Sequence, residues 1–380
     1  MFIPLEYKPG DLGEVDFFEV EVDLDGVRTT AFLFVMRLMS SGRDFCWVYP
    51  RQDQTCFLDG HVRAFAHFDG VNVRCAYDNL KAAVLRHLVG SERVLTPRML
   101  ALTTHYVFEA CFCRPYEGHD EGGVEARGKN IRLQSMVPVP SGVTLDDISK
   151  SVLADVEKRF WAKADAAAGW QSEHGLMHDA PRRPYDPRKT EVSVPVSSRA
   201  EVVVEGSTYS VPSRWARLSV TTHAGVSEVE LVGPGGVSEV RRRIPKGGRD
   251  IDYARHYLEE LSKKPQAVRQ VADTLMAQLG EPFPAWWRHL VESDGARAAA
   301  RQMARILRAL LELGRDECIA RVTAAMLTGE SLSTALLVPL TSTAMSLSTV
   351  PDIFAIDIET SSVRAFDDLL LNAGAVGGVL

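Results

Sequence analysis

A chain of 380 residues exceeds what one hydrophobic core usually supports, so two or three domains are expected. Its 43 lysines and arginines against 50 aspartates and glutamates leave a formal charge of -7, which excludes a generally basic nucleic-acid binder and confines any contact with polyanions to local patches. Six cysteines scattered through apolar segments, and an opening without a charged-then-apolar leader, point to a reduced, cytoplasmic protein. The longest apolar run, residues 31–39, is broken by Arg37 and falls short of the roughly 20 residues that a membrane span needs.

Residues 14–20, E-V-D-F-F-E-V, alternate imperfectly and open a set of three expected strands, the others covering 27–40 and 45–50. A D-G turn at Asp25-Gly26 and an S-G turn at Ser41-Gly42 join them. Phe57, Leu58, Val62, Phe65 and Phe68 then recur at helical spacing and stop at Gly70. The run V-N-V-R-C-A-Y reads as a buried strand ending at Asp78; a helix near 97–108 and a short strand around 110–113 precede a third helix. Residues 171–190 lose periodicity and collect Pro, His, Gly and Arg, as a linker does, and so close a first domain at 1–170. Short β-type runs with Gly-rich turns predict a small β-barrel over 191–250. The period switches to helical over 251–330, and the Ser/Thr-rich stretch 331–380 is expected to be loosely structured.

The acids come next. Asp16 stands in mid-strand between Val15 and Phe17, where a carboxylate is costly unless something pairs with it. Asp78 ends a strand and is followed by Asn79. Two carboxylates at neighbouring strand positions suit a hard cation such as Mg²⁺, which prefers oxygen ligands and keeps waters for a substrate to displace. A third acid is then expected, and Glu125 supplies it in G-G-V-E-A-R-G-K-N-I-R, where the helical pattern resumes. Arg132, about two turns further on, shares the face of Glu125, with Lys129 close by. Glu14, Glu19, Asp23 and Asp25 compete with Asp16, but their flanks look solvent-facing or turn-like; Glu117 and Asp120 compete with Glu125 from a less rigid loop. His105, Cys111, Cys113 and His119 are zinc-ligand types without a recognised finger spacing and are expected to be structural. The Trp286-Trp287 pair is expected in a helical core.

Six words stand in one order: P-G-D-L-G-E-V-D-F (9–17), F-L-F-V-M (32–36), F-L-D-G-H-V-R-A-F (57–65), Y-D-N-L-K (77–81), F-C-R-P (112–115) and G-G-V-E-A-R (122–127). Together they resemble the IstA-type transposases of bacterial insertion sequences, in the retroviral-integrase superfamily, and Y-S-V-P at 209–212 extends the likeness into the β-rich region. The resemblance implies an α/β fold: a ribonuclease-H-like catalytic domain with a mixed five-stranded sheet and helices, then a small β-barrel and a helical C-terminal region. It implies a DDE transposase whose triad is Asp16, Asp78 and Glu125, holding two Mg²⁺ or Mn²⁺ ions for 3′-end cleavage and strand transfer into target DNA. It further implies phosphate contacts from Lys129 and Arg132, DNA contacts from Arg241, Arg242 and Arg243, a homo-multimer, and a helper ATPase of the IstB type. Two departures stand against it. Glu121 and Gly123 occupy positions where many relatives carry lysine, and the helix-turn-helix region usual before the first catalytic strand is missing from these residues. The alternative is therefore an idle remnant that only binds DNA or multimerises.

Overall fold

The computed structural model describes residues 7–77, 84–87, 93–112 and 136–336. Strand β1 (Leu12–Leu24) turns through Asp25 and Gly26 into β2 (Val27–Leu38). Both turn residues have positive φ, 49° and 78°, the left-handed pair that matches a hairpin turn to strand twist. β3 (Asp44–Tyr49) adds antiparallel to β2. Helix α1 (Gln54–Phe68) follows, capped by the Asp53 carboxylate on the Cys56 N–H at 2.9 Å. Its left-handed end residue is Asp69, φ 50°, rather than the expected Gly70; aspartate tolerates this region better than most side chains.

Strand β4 (Arg74–Tyr77) returns parallel to β1. A short hairpin that the sequence pattern did not announce, β5 (Val84–His87) and β6 (Arg93–Leu95), separates it from helix α2 (Pro97–Tyr106). Thr96 caps α2 through the Met99 N–H, and Pro97 fills a first-turn position that needs no donor. β7 (Glu109–Phe112) then pairs parallel with β4. The main path of the sheet is therefore β3-β2-β1-β4-β7, with the two-residue β8 (Ser141–Gly142) added at the far end of β1. Three antiparallel strands followed by two parallel to the first make the mixed five-stranded, ribonuclease-H-like order.

Period-two alternation gives each face its own core. Val15, Phe17, Phe34 and Met36 pack against α1 and α2 on one side. Val20, Val22, Leu33 and Val35 meet helix α3 (Leu145–Trp161) on the other. A capping box between Thr144 and Asp147 starts α3.

The segment expected as a linker is held down along most of its length. Helix α4 (Ala166–His174) carries Glu173, whose buried carboxylate accepts the N–H groups of Gly10, at 2.8 Å, and Ser41, at 2.5 Å. Val71 and His178 exchange both backbone bonds at 2.8 Å. His105 bonds the Arg183 carbonyl at 2.9 Å, and Arg98 donates to the Pro187 carbonyl. Beyond it, a four-stranded sheet from Lys189–Pro195, Ser219–Ala224, Glu228–Val232 and Ser238–Arg242 faces a three-stranded one over a shared core around Val202, Tyr209, Trp215 and Leu231. A helical region follows, built around Ala296–Leu313 and packed on Phe283, Trp286 and Leu275. The tail beyond residue 336 lies outside the described residues. Among the described residues no helix is long and apolar enough to cross a membrane.

Gly60 of α1 lies under the Phe34 ring, and a Cβ there would stand 2.5 Å from a ring carbon. Alanine would gain about 1 kcal/mol of helix propensity, but forced overpacking costs about 1–3 kcal/mol. Gly60→Ala is therefore expected to lower stability by about 1 kcal/mol, with an unchanged denaturant m-value; a rise in the unfolding midpoint would show that the ring has room to move.

Candidate active site

Asp16 is the fifth residue of the 13-residue central strand β1, opposite Val35 of β2. Val15 and Phe17 turn into the α1 core, so Asp16 turns to the opposite face, where it is half-buried. One of its carboxylate oxygens accepts the N–H of Phe17 at 2.7 Å. The same residue's carbonyl accepts from the Gln52 amide, tying the entry to α1 to the strand beside Asp16. On the other edge the parallel ladder matches Val15 with Tyr77, so Asp16 and Asp78 are each the next residue along. Asp78 itself lies outside the described residues, as do Glu125, Lys129 and Arg132. The described residues hold no cluster of three or more metal-ligand side chains.

Glu14 shares the face of Asp16 by alternation and is buried, contrary to the solvent-facing reading of its flanks. Its Oε2 has no hydrogen-bond partner among the described residues. Burial pushes its carboxyl above the ordinary range, while Arg37 pulls it part of the way back.

Beneath the end of β4 lies a histidine that the sequence pattern showed only as part of F-L-D-G-H-V-R-A-F. His61 is fully buried. Its Nδ1 stands 2.8 Å from the Phe57 carbonyl and must donate to it, which leaves Nε2 to accept from the Tyr77 hydroxyl at 3.0 Å. Burial lowers its pKa from 6.5 to about 4, so the ring is neutral near pH 7. The pair fixes the last residue of β4 from below.

The arginine triplet does not present one exposed patch. Arg241 bonds Asp250 at 2.7 Å and faces Asp252 at 3.6 Å, with a side chain only 10% exposed. Arg243, 9% exposed, donates to the Gly225 carbonyl at 2.6 Å and meets the α1 cap Asp53 at 3.4 Å. Strand alternation turns Arg242 outward between them, and it is exposed. Two of the three guanidiniums thus have little surface left for a phosphate. Of the proposed zinc-type residues, His105 holds the Arg183 carbonyl and Cys111 is a half-buried free thiol; Cys113 and His119 lie outside the described residues.

No family model matches the chain. It is similar to insertion-sequence transposases: 28% identical over 340 residues to a transposase of Aminobacter aminovorans, covering 86% of this chain and 65% of that one. To the transposase for insertion sequence element IS21 of Pseudomonas aeruginosa it is 28% identical over 205 residues, covering 52% of each. The chain thus spans less than two thirds of the length of either relative. Among solved structures, the catalytic core domain of BIV integrase matches with a TM-score of 0.27 at 12% identity, over 38% of this chain and 82% of that one; so slight a likeness carries no weight here.

The neutral buried histidine has a pH signature. Its folded pKa of about 4 lies below the unfolded 6.5, so the unfolded chain takes up the proton first and stability is lost as pH falls from about 6.5 to about 4. The full loss is about 3 kcal/mol at 1.36 kcal/mol per pKa unit. His256, whose pKa burial also lowers, adds to the slope in the same direction. His61→Gln is expected to remove the His61 share, seen as a flatter melting temperature against pH over that window; an unchanged slope would show that His61 is not buried neutral.

Proposed function

We propose that this chain carries the catalytic core of a DNA transposase, with Asp16, Asp78 and Glu125 as its acids. The observation that carries the reading is the register of β1 with β4: Asp16 sits half-exposed in the central strand, at the level where the parallel neighbour ends and Asp78 follows. The similarity to insertion-sequence transposases supports it.

The donor set is all carboxylate, which suits Mg²⁺ or Mn²⁺ and not softer metals. When bound, two such ions activate an attacking oxygen and stabilise the leaving one across a clamped phosphate. The chain's own residues prepare that site. β1 presents the Asp16 carboxylate on a strand that pairs with β2 at Asp16 and with β4 up to Val15, so its direction is set by the sheet and not by a loop. Gln52 and the Phe17 N–H restrain the backbone and carboxylate at that point. His61 supports Tyr77, the residue before Asp78. Lys129 and Arg132 follow Glu125 and are proposed to hold DNA phosphates, while in the β-rich region this role falls to Arg242. The substrate is DNA carrying transposon ends; the reaction is 3′-end cleavage followed by transfer of the freed 3′-hydroxyl to target DNA. A homo-multimer that brings two ends together and an IstB-type ATPase are the partners this reading calls for.

The test is metal-dependent nicking of supercoiled plasmid, and strand transfer into it from duplexes bearing free 3′-hydroxyls, with Mg²⁺ or Mn²⁺ and the full chain. Asp16→Asn, Asp78→Asn and Glu125→Gln are each expected to reduce both reactions to the level seen in chelator. In chelator the variants should melt at or slightly above the parent, since clustered acids without metal repel one another. Activity retained by Asp16→Asn would end the assignment.

Arg242 and Arg243 separate binding from packing. Arg242→Ala is expected to leave melting unchanged and to reduce the slope of log affinity for duplex DNA against log salt by about 0.9. Arg243→Ala should lower the melting temperature, because the barely exposed ion pair and the Gly225 carbonyl bond are lost together. The reverse pattern would exchange their roles.

A further inference from the structure

Helix Ala296–Leu313 buries Ala299, Ala300, Met303, Ala304, Ile306, Leu307 and Ala309 against its neighbours. Its outer line is Arg297, Arg301, Arg305 and Arg308, all exposed, with no acid between Ala296 and Leu311. Successive members stand four, four and three residues apart and so lie side by side on one face, where like charges repel. A helix that needed only a solvated outer face would mix signs; Arg321 and Glu317 on the next helix do so, pairing at 2.7 Å.

The line is not uniform. Arg308 pairs with Glu312 at 2.8 Å. Arg305 donates to the Ser333 hydroxyl at 2.6 Å, which keeps its charge, and it lines a cleft that Asp294 and Glu330 also line. The Asp294 carboxylate there accepts from Gln302 at 2.6 Å. Among the described residues no ion pair is formed by Arg297 or Arg301. The stretch without an ion pair is therefore residues 297 to 305, about 12 Å along the axis at 1.5 Å per residue.

We propose that Arg297, Arg301 and Arg305 form a second DNA-binding surface, which grips the phosphates of one strand of a duplex without reading its bases. This rests on the reading of the chain as a DNA transposase. A duplex presents a phosphate every 3.4 Å of axis per strand, so a 12 Å line faces about three of them. Arginine is the cation suited to this, since its planar fork bonds a phosphate through two parallel N–H groups. The helix is held by its apolar face, so the three arginines project from fixed backbone positions along one row. Contact to phosphates alone orients DNA and carries no sequence preference.

The experiment is a titration of the full chain with a fluorescent 30-base-pair duplex, in two unrelated sequences, from 50 to 200 mM salt. Arg297→Ala, Arg301→Ala and Arg305→Ala combined should reduce the salt slope by up to about 3 for both sequences. The triple Arg→Lys variant should restore most of the slope, which separates charge from fold, and the melting temperature of either should stay near that of the parent. Unchanged slope in the alanine triple, with the parent binding DNA, would overturn the proposal. So would an alanine triple that binds duplex normally but loses a polyglutamate peptide bound by the parent, because the stripe would then serve an acidic protein. Failure of the transposase reading looks different: the parent would lack metal-dependent strand transfer while the slope change persisted.

Discussion

Strand β1 is hydrogen-bonded on both edges, antiparallel to β2 and parallel to β4, and this double pairing decides what can be done with the rest of the first domain. A strand fixed on both sides has no freedom to rotate, so its side chains are assigned to faces by position alone. Val15 and Phe17 are committed to the α1 core and Asp16 to the other face. A one-residue slip would bury the carboxylate among Phe34, Met36 and Phe57 and take Val15 and Phe17 out of that core, a double penalty that defines the register. The parallel edge matters as much. It brings the end of β4, from a distant part of the chain, level with Val15, the residue before Asp16, and the His61–Tyr77 bond holds that end from inside the core.

The β-rich region is attached to this domain through groups that also have local duties. Asp53 caps α1 and at the same time meets Arg51 at 2.9 Å and Arg243 at 3.4 Å. Several hydrogen bonds hold the Asp53 carboxyl below the usual range, against the opposing effect of burial. Arg51 reaches on to the Val226 carbonyl at 2.7 Å, and Arg243 to that of Gly225, so one hairpin turn is clasped at the start of α1. An apolar interface would have given attachment without this coupling. Here the helix cap and the contact between regions share one carboxylate, and loss of either arginine leaves the other with a less well-compensated partner.

Much of the fold was legible because its signals are local. The Asp25-Gly26 hairpin, Pro97 after Thr96, and the apolar spacing of α1 each specify structure within a few residues. The mixed five-stranded sheet was implied by the resemblance and not by these local signals. What was not legible depends on partners far away in the chain. The Pro/Arg-rich stretch reads as a linker because it has no period, yet Glu173, His178 and Arg183 are tied to Gly10, Val71 and His105. The flanks of Glu14 read as solvent-facing, though alternation places it on the same face as Asp16. The arginine triplet contained its own correction: three consecutive residues at the end of a strand cannot share a face, so at most one direction of the alternation could be free. Of the triad, only Asp16 falls among the described residues; it stands between the buried Val15 and Phe17 and is itself half-buried.

Net charge was the least informative number in the sequence, and the structure shows why. A formal charge of -7 counts Arg43, Arg241 and Arg243 as cations, although each is engaged by carboxylates: Glu157 at 3.0 Å, Asp250 at 2.7 Å and Asp53 at 3.4 Å. Glu157 even has its pKa lowered to about 2, despite burial, chiefly by bonds from His67 and Arg43, so it remains an anion in that pair across the ordinary pH range. What a polyanion meets is the set of exposed, unpaired cations within a screening length of its own phosphates, about 8 Å at physiological ionic strength. On that scale Arg242, Arg297 and Arg301 count in full, whereas Arg305 shares its cleft with Asp294 and Glu330. An acidic chain can therefore present a locally basic line where its unpaired acids lie beyond that screening length.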